Sequence, residues 1–169
     1  MRLVELARAS IRSYLATGEI MKVPENLGAE SERRAGVFVS LHEADELRGC
    51  IGTIVPMQEN LAREVIENAV SAATRDPRFE PVKPEEVPSL EISVDALGEP
   101  VLVTDLSTLD PKKYGVIATA TGGRQGVLLP DLEGVDSAAE QIRICREKGG
   151  IGPDEPVEIS KFEVERFEE

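Results

Sequence analysis

Val37-Phe38-Val39-Ser40-Leu41-His42-Glu43-Ala44-Asp45-Glu46-Leu47-Arg48-Gly49-Cys50-Ile51-Gly52 decides the fold. Val37, Val39 and Leu41 alternate with Phe38, Ser40 and His42, the period of a strand buried on one face. Glu43-Ala44-Asp45 is a short turn, and Glu46 to Ile54 returns as the partner strand. Strict alternation on that arm sends Arg48, Cys50 and Ile54 to one face and Leu47, Ile51 and Thr53 to the other. Glycine inside a strand marks a bulge or a close approach to the backbone. Gly49 and Gly52 therefore leave the Cys50 thiol bare, with the Arg48 cation on its side to favour the thiolate. The bland alternative is a buried cysteine in a glycine-kinked strand. His42, just before the turn, falls near residues 46–48, and the register decides whether it reaches Cys50.

Outward from the hairpin, helices and strands alternate. Upstream, Leu3, Ala7, Ile11, Tyr14 and Leu15 recur at helical spacing over residues 2–17, and Gly18 ends the helix. Residues 19–33 are polar and read as a surface loop. Downstream, a helix over 58–74 carries Leu61, Val65, Ala69, Ala72 and Ala73 on one stripe. Pro77 disfavours helical geometry at Asp76 and ends it. Leu90 to Val94 alternates as a strand, and Val101 to Thr104 reads as a further short one. Tyr114 to Ala120 and Arg124 to Leu129 form a second hairpin about Thr121-Gly122-Gly123, where Gly-Gly supplies positive φ. Ser137 caps a helix over 138–148 that carries Cys145 on its apolar face. The last strand, Val157 to Phe167, shifts its apolar phase between Ile159 and Phe162, which predicts a bulge or bend near Ser160. Hairpins mixed with helices give an α+β fold with a mainly antiparallel sheet, in one domain over 1–169.

With 169 residues, 41% of them hydrophobic and 4% aromatic, the chain builds an aliphatic core. No apolar run approaches the ~20 residues of a membrane span. The first residues lack the apolar core of a signal peptide. Two distant cysteines make no disulfide framework, so the expected compartment is the cytoplasm. Nineteen basic against 32 acidic residues leave a net charge of −13, which argues against nucleic-acid binding. The acidic excess is heaviest at the C-terminus, in Glu163, Glu165, Glu168 and Glu169, and reads as a solvated face.

The hexapeptide Leu47-Arg48-Gly49-Cys50-Ile51-Gly52 resembles the signature of the AMMECR domain family. Gly36-Val37-Phe38-Val39, Asp76-Pro77-Arg78-Phe79, Leu90-Glu91-Ile92-Ser93-Val94, Tyr114-Gly115-Val116 and Gly126 to Leu132 are similar to the same family. Thr119-Ala120-Thr121 is blander than the family pattern before the second turn. The resemblance runs from about residue 3 to 167 and implies a two-lobed α+β domain, with the hexapeptide facing a cleft between the lobes. It further implies operation beside a Memo-type protein and a radical S-adenosylmethionine enzyme, with no assigned reaction.

Two functions compete. In one, Cys50 is a nucleophile, with Arg48 favouring its thiolate or holding an anionic substrate and Asp76 or His42 as base. Arg75, Arg78 and Arg124, with the Gly49 and Gly52 backbone, then bind a small anion. In the other, the same stretch is a docking surface for a partner peptide or anion, without turnover. His42, Cys50 and Cys145 with a carboxylate would make four metal ligands, but no C-x-x-C or H-x-x-x-H spacing occurs, so neither metal nor cofactor is expected.

Overall fold

A computed structural model describes residues 2–25 and 27–169; Met1 and, within the expected 19–33 loop, Asn26 lie outside it. Among the described residues, three α-helices and two four-stranded antiparallel sheets make an α+β fold. The chain divides into two compact units, one running to Leu97 and taking in Glu165–Glu169, the other Gly98–Val164.

The first unit starts with helix α1, Leu3–Thr17, which Gly18 closes in the left-handed conformation by donating to Tyr14 O at 2.7 Å. Strands β1 (Val37–Glu43) and β2 (Glu46–Gly52) form the expected hairpin. Its two-residue turn, Ala44-Asp45, has φ of 51° and 65°, as a tight hairpin requires. Helix α2 spans Leu61–Thr74, starting later than the pattern suggested because Asn60 caps it by accepting from Arg63 N at 2.9 Å. With β3 (Glu91–Leu97) and a last strand, the sheet order is β2-β1-β3-last.

Register assigns the faces of this sheet. Val37, Val39 and Leu41 lie beside Ala96, Val94 and Ile92, all buried against α1 and α2. The opposite face carries Phe38, Ser40 and His42 beside Asp95, Ser93 and Glu91. Asp95, buried there, takes a two-pronged ion pair from Arg166 at 2.7 and 3.1 Å.

The second unit holds β4 (Val101–Leu102), β5 (Gly115–Ala120), β6 (Gln125–Leu128), helix α3 (Ala138–Lys148) and β7 (Val157–Phe162), with sheet order β4-β7-β5-β6. Gly122 and Gly123, with φ of 91° and 89°, make the hairpin turn. Ser137 caps α3 by accepting from Glu140 N at 3.2 Å. Cys145 is fully buried beside Val116, Leu128 and Ile159.

The phase shift in the last strand is not a bulge near Ser160. Pairing of β7 with β5 is regular from Ala120–Val157 to Gly115–Phe162. The chain breaks at Glu163 and continues as β8 (Val164–Glu168), the outer strand of the first sheet. Within β7, Ile159 and Phe162 are buried on opposite faces of one regular strand, with the Phe162 ring over Gly115.

The acidic C-terminus is the expected exposed face, and its carboxylates also pair with cations. Glu163 pairs with Lys113, Glu165 with Arg33, Glu168 with Arg166 and Glu169 with Arg8. Such surface pairs are individually weak, but together they tie the tail to several elements.

Candidate functional site

The site grows from a departure from regular pairing. Leu41 pairs with Gly49 and His42 with Leu47, so Arg48 is the extra residue of a β-bulge. The bulge resets the alternation: Leu47 is 38% exposed, not packed inward with Ile51. Beyond it Cys50 stands opposite Ser40, and Ser40 opposite Ser93, in one row across three strands. Ser40 Oγ donates to Cys50 Sγ at 3.3 Å, with the thiol half-buried. His42 occupies the same face two residues along β1, so Ser40 and not His42 faces the thiol.

The outer edge of β2 is closed at Cys50 by side chains. Its N–H donates to Asp76 Oδ2 at 2.9 Å, and its carbonyl accepts from Arg78 Nη2 at 3.3 Å. Pro77 turns the chain between the two, placing carboxylate and guanidinium where a neighbouring strand would put C=O and N–H. Arg78 also gives Asp76 its Nε at 3.0 Å, its Nη2 at 2.7 Å and its backbone N–H at 3.1 Å. Its guanidinium lies over the Phe79 ring, 5.4 Å from the centroid.

These contacts set the charges. The Arg78 side chain, foremost, pulls the Asp76 pKa down to about 2, and the N–H groups of Cys50 and Arg78 add to the effect. Asp76 is therefore not the expected base, since a carboxylate held that firmly in its charged form is a poor proton acceptor at neutral pH. It positions the Cys50 peptide. The Arg78 pKa is raised, first by Asp76 and in smaller part by charge on Cys50.

Arg48 does not have the role its spacing suggested. Its Nε and Nη2 reach the Glu86 carboxylate at 2.9 and 3.3 Å, and its Nη1 reaches Glu80 O at 2.9 Å. Arg48 accordingly lowers the Glu86 pKa. It moors the 80–86 loop to the bulge, and Arg78 is the guanidinium that bonds to Cys50.

The glycines serve packing, not exposure of the thiol. A Cβ on Gly49 would stand 2.3 Å from Ala72 O, so its absence lets β2 lie against α2. A Cβ on Gly52 would enter the Phe38 ring at 2.3 Å. Arg75, the residue after α2, is exposed. Arg124 belongs to the second unit, where it bonds to Gly150 O and pairs with Glu155. Cys145 is core: burial pushes its pKa up to about 11, and its thiol donates to Val116 O at 3.3 Å. Among the described residues, no three His, Cys, Asp or Glu side chains cluster as metal ligands.

Pattern reading missed Glu64 and Asn68. Glu64, 2% exposed on α2, accepts from Thr53 Oγ1 at 2.7 Å, Met57 N at 2.8 Å and Gln58 N at 2.7 Å. Asn68 Nδ2 donates to Val37 O at 3.1 Å and Thr53 Oγ1 at 3.3 Å. Together they pin the chain leaving β2. The signal was there: two polar residues four apart inside the Leu61-Val65-Ala69 stripe.

The AMMECR1 family profile matches residues 4–169. The chain belongs to the AMMECR1 family. A Thermotoga maritima protein is 50% identical over 167 residues, covering 97% of this chain and 95% of that one. Protein CA_C1420 of Clostridium acetobutylicum is 48% identical over 168 residues, covering 98% of this chain. This chain spans only 36% of that Clostridium protein's length, so there the AMMECR1 portion lies within a much longer polypeptide. The crystal structure of uncharacterized protein PH0010 from Pyrococcus horikoshii has the same fold, at a TM-score of 0.91 and 34% identity, covering 99% of this chain and 89% of that one. Among the described residues, no helix of this AMMECR1 chain is long and apolar enough to cross a membrane.

Proposed function

We propose that this AMMECR1 protein presents Cys50 as a reactive thiol and serves as one component of a multi-protein modification pathway. The contrast between its two cysteines carries the reading. Cys145 is sealed in a core and held as a thiol, whereas Cys50 is half-buried, accepts a hydrogen bond from Ser40 and has Arg78 against its peptide. Hydroxyl and guanidinium both favour the thiolate.

The reaction assigned is nucleophilic. The thiol proton passes to water; the thiolate then bonds to an electrophilic carbon, and the leaving group departs with the electron pair of the bond that breaks. Asp76 holds the Cys50 peptide while this happens. A thiol kept in this way suits a reducing compartment such as the cytoplasm.

Memo-type and radical S-adenosylmethionine proteins are the partners the family resemblance implies. A domain that forms about a third of the Clostridium relative supports work beside another polypeptide. The same observation favours a second reading, in which the domain is a docking module and Cys50 only a strand residue. Peptide mapping after brief treatment of the folded protein with iodoacetamide separates the two. Modification of Cys50 alone supports the reactive thiol; modification of neither cysteine until denaturant is added supports the docking module.

A further inference from the structure

We propose that the substrate of Cys50 is an anion, an electrophile carrying a carboxylate or a phosphate, bound by Arg78 through Nη1. This rests on the reading of Cys50 as a reactive thiol and names its substrate class. Arg78 turns Nε and Nη2 towards Asp76, and no described residue accepts from Nη1. The side chain is 54% exposed, so that edge of the fork is open to a ligand. Asp76 on one edge and the Phe79 ring beneath hold the guanidinium plane in place before any ligand arrives. A guanidinium fixed in this way presents the two N–H groups of Nη1 to an oxygen of a carboxylate or phosphate without further loss of side-chain freedom.

Charge points the same way. Asp76 cancels one arginine, but Arg75 is exposed and no described residue pairs with its side chain. Residues 75–78 therefore keep one net positive charge in a chain whose total is −13. An acidic surface that repels anions generally, with a local cation beside its reactive thiol, selects anions at that place.

The test compares two reagents of the same chemistry and different charge. Iodoacetate and iodoacetamide each form an S–C bond as the C–I bond breaks and iodide leaves with the electron pair. Their rates on Cys50 are measured in the folded Cys145→Ser protein and in the same protein unfolded in urea. Anion selection raises the iodoacetate-to-iodoacetamide ratio in the folded protein roughly tenfold over the unfolded one, the effect of one charge-assisted pair. The enhancement falls with added salt, is reduced in Arg78→Lys and disappears in Arg78→Ala. Arg78→Lys keeps a cation for Asp76, so the test survives if Arg78→Ala does not fold. Protection from iodoacetamide by acetate or by inorganic phosphate tells which oxyanion binds.

A ratio no higher in the folded than in the unfolded protein overturns the anionic substrate while leaving the reactive thiol standing. An enhancement unchanged in both Arg78 variants overturns the assignment to Arg78. Two reagents equally inert on the folded protein overturn the reactive thiol itself.

Discussion

The Asp76 carboxylate accepts the backbone N–H of Cys50 at 2.9 Å, so the turn that ends α2 also fixes the peptide carrying the thiol. Cysteine and carboxylate are 26 residues apart in the chain and belong to one device.

That device makes stability depend on acid. The Asp76 pKa, lowered to about 2 chiefly by Arg78, lies below its unfolded value near 3.9. The stabilisation is present in full above about pH 4 and is lost as pH falls towards about 2, by at most about 2 kcal/mol. Asp76→Asn lacks it at every pH. The gap between the urea midpoints of the two proteins at pH 7 should therefore shrink to roughly a third at pH 2.5. A constant gap would mean that the Arg78–Asp76 pair does not stabilise the fold through its charge.

Gly49→Ala should unfold the protein far more readily than Gly122→Ala. The first places a methyl 2.3 Å from Ala72 O, a backbone atom that moves only with its helix. The second meets nothing within 4 Å and bears only the strain of a φ of 91°. Expected losses are roughly 2 kcal/mol or more against about 1 kcal/mol, read from denaturant midpoints. Equal losses would show that β2 does not need its close approach to α2.

Glu64→Gln should loosen the segment after the hexapeptide. Two backbone N–H groups and a hydroxyl now donate to a buried carboxylate. The amide oxygen accepts them less well, and its NH₂ adds a donor where donors already converge. The expected loss is about 2 kcal/mol, with faster hydrogen exchange at Met57 and Gln58. Unchanged exchange at those two amides would show that Glu64 does not hold them.

Local pattern carried most of this fold. The 37–52 hairpin, the Gly122-Gly123 turn, the caps at Gly18 and Ser137 and the core position of Cys145 depend on residues near in sequence. Legibility failed where a residue's partner lies far along the chain. Arg48 shares the expected face with Cys50 only under regular alternation, and the bulge that redirects it is stabilised by Glu86, 38 positions away. Ser40 could be placed opposite Cys50 only once the register was known. The phase slip after Ile159 was visible, but a bulge and a regular strand buried on both faces leave the same trace; only the pairing of β7 with β5 tells them apart. Asp76 and Arg78 stood out by spacing, yet their roles as strap and guanidinium came from geometry.

The central claim is tested most directly by the rate at which iodoacetamide alkylates Cys50 as a function of pH, in the Cys145→Ser background. A thiolate favoured by Ser40 and Arg78 predicts a rate that reaches half its maximum below about pH 7. That midpoint should rise in Ser40→Ala and in Arg78→Ala and stay in place in Arg48→Ala. A midpoint near 8.5, the value of an ordinary thiol, unmoved by either of the first two substitutions, would contradict the account.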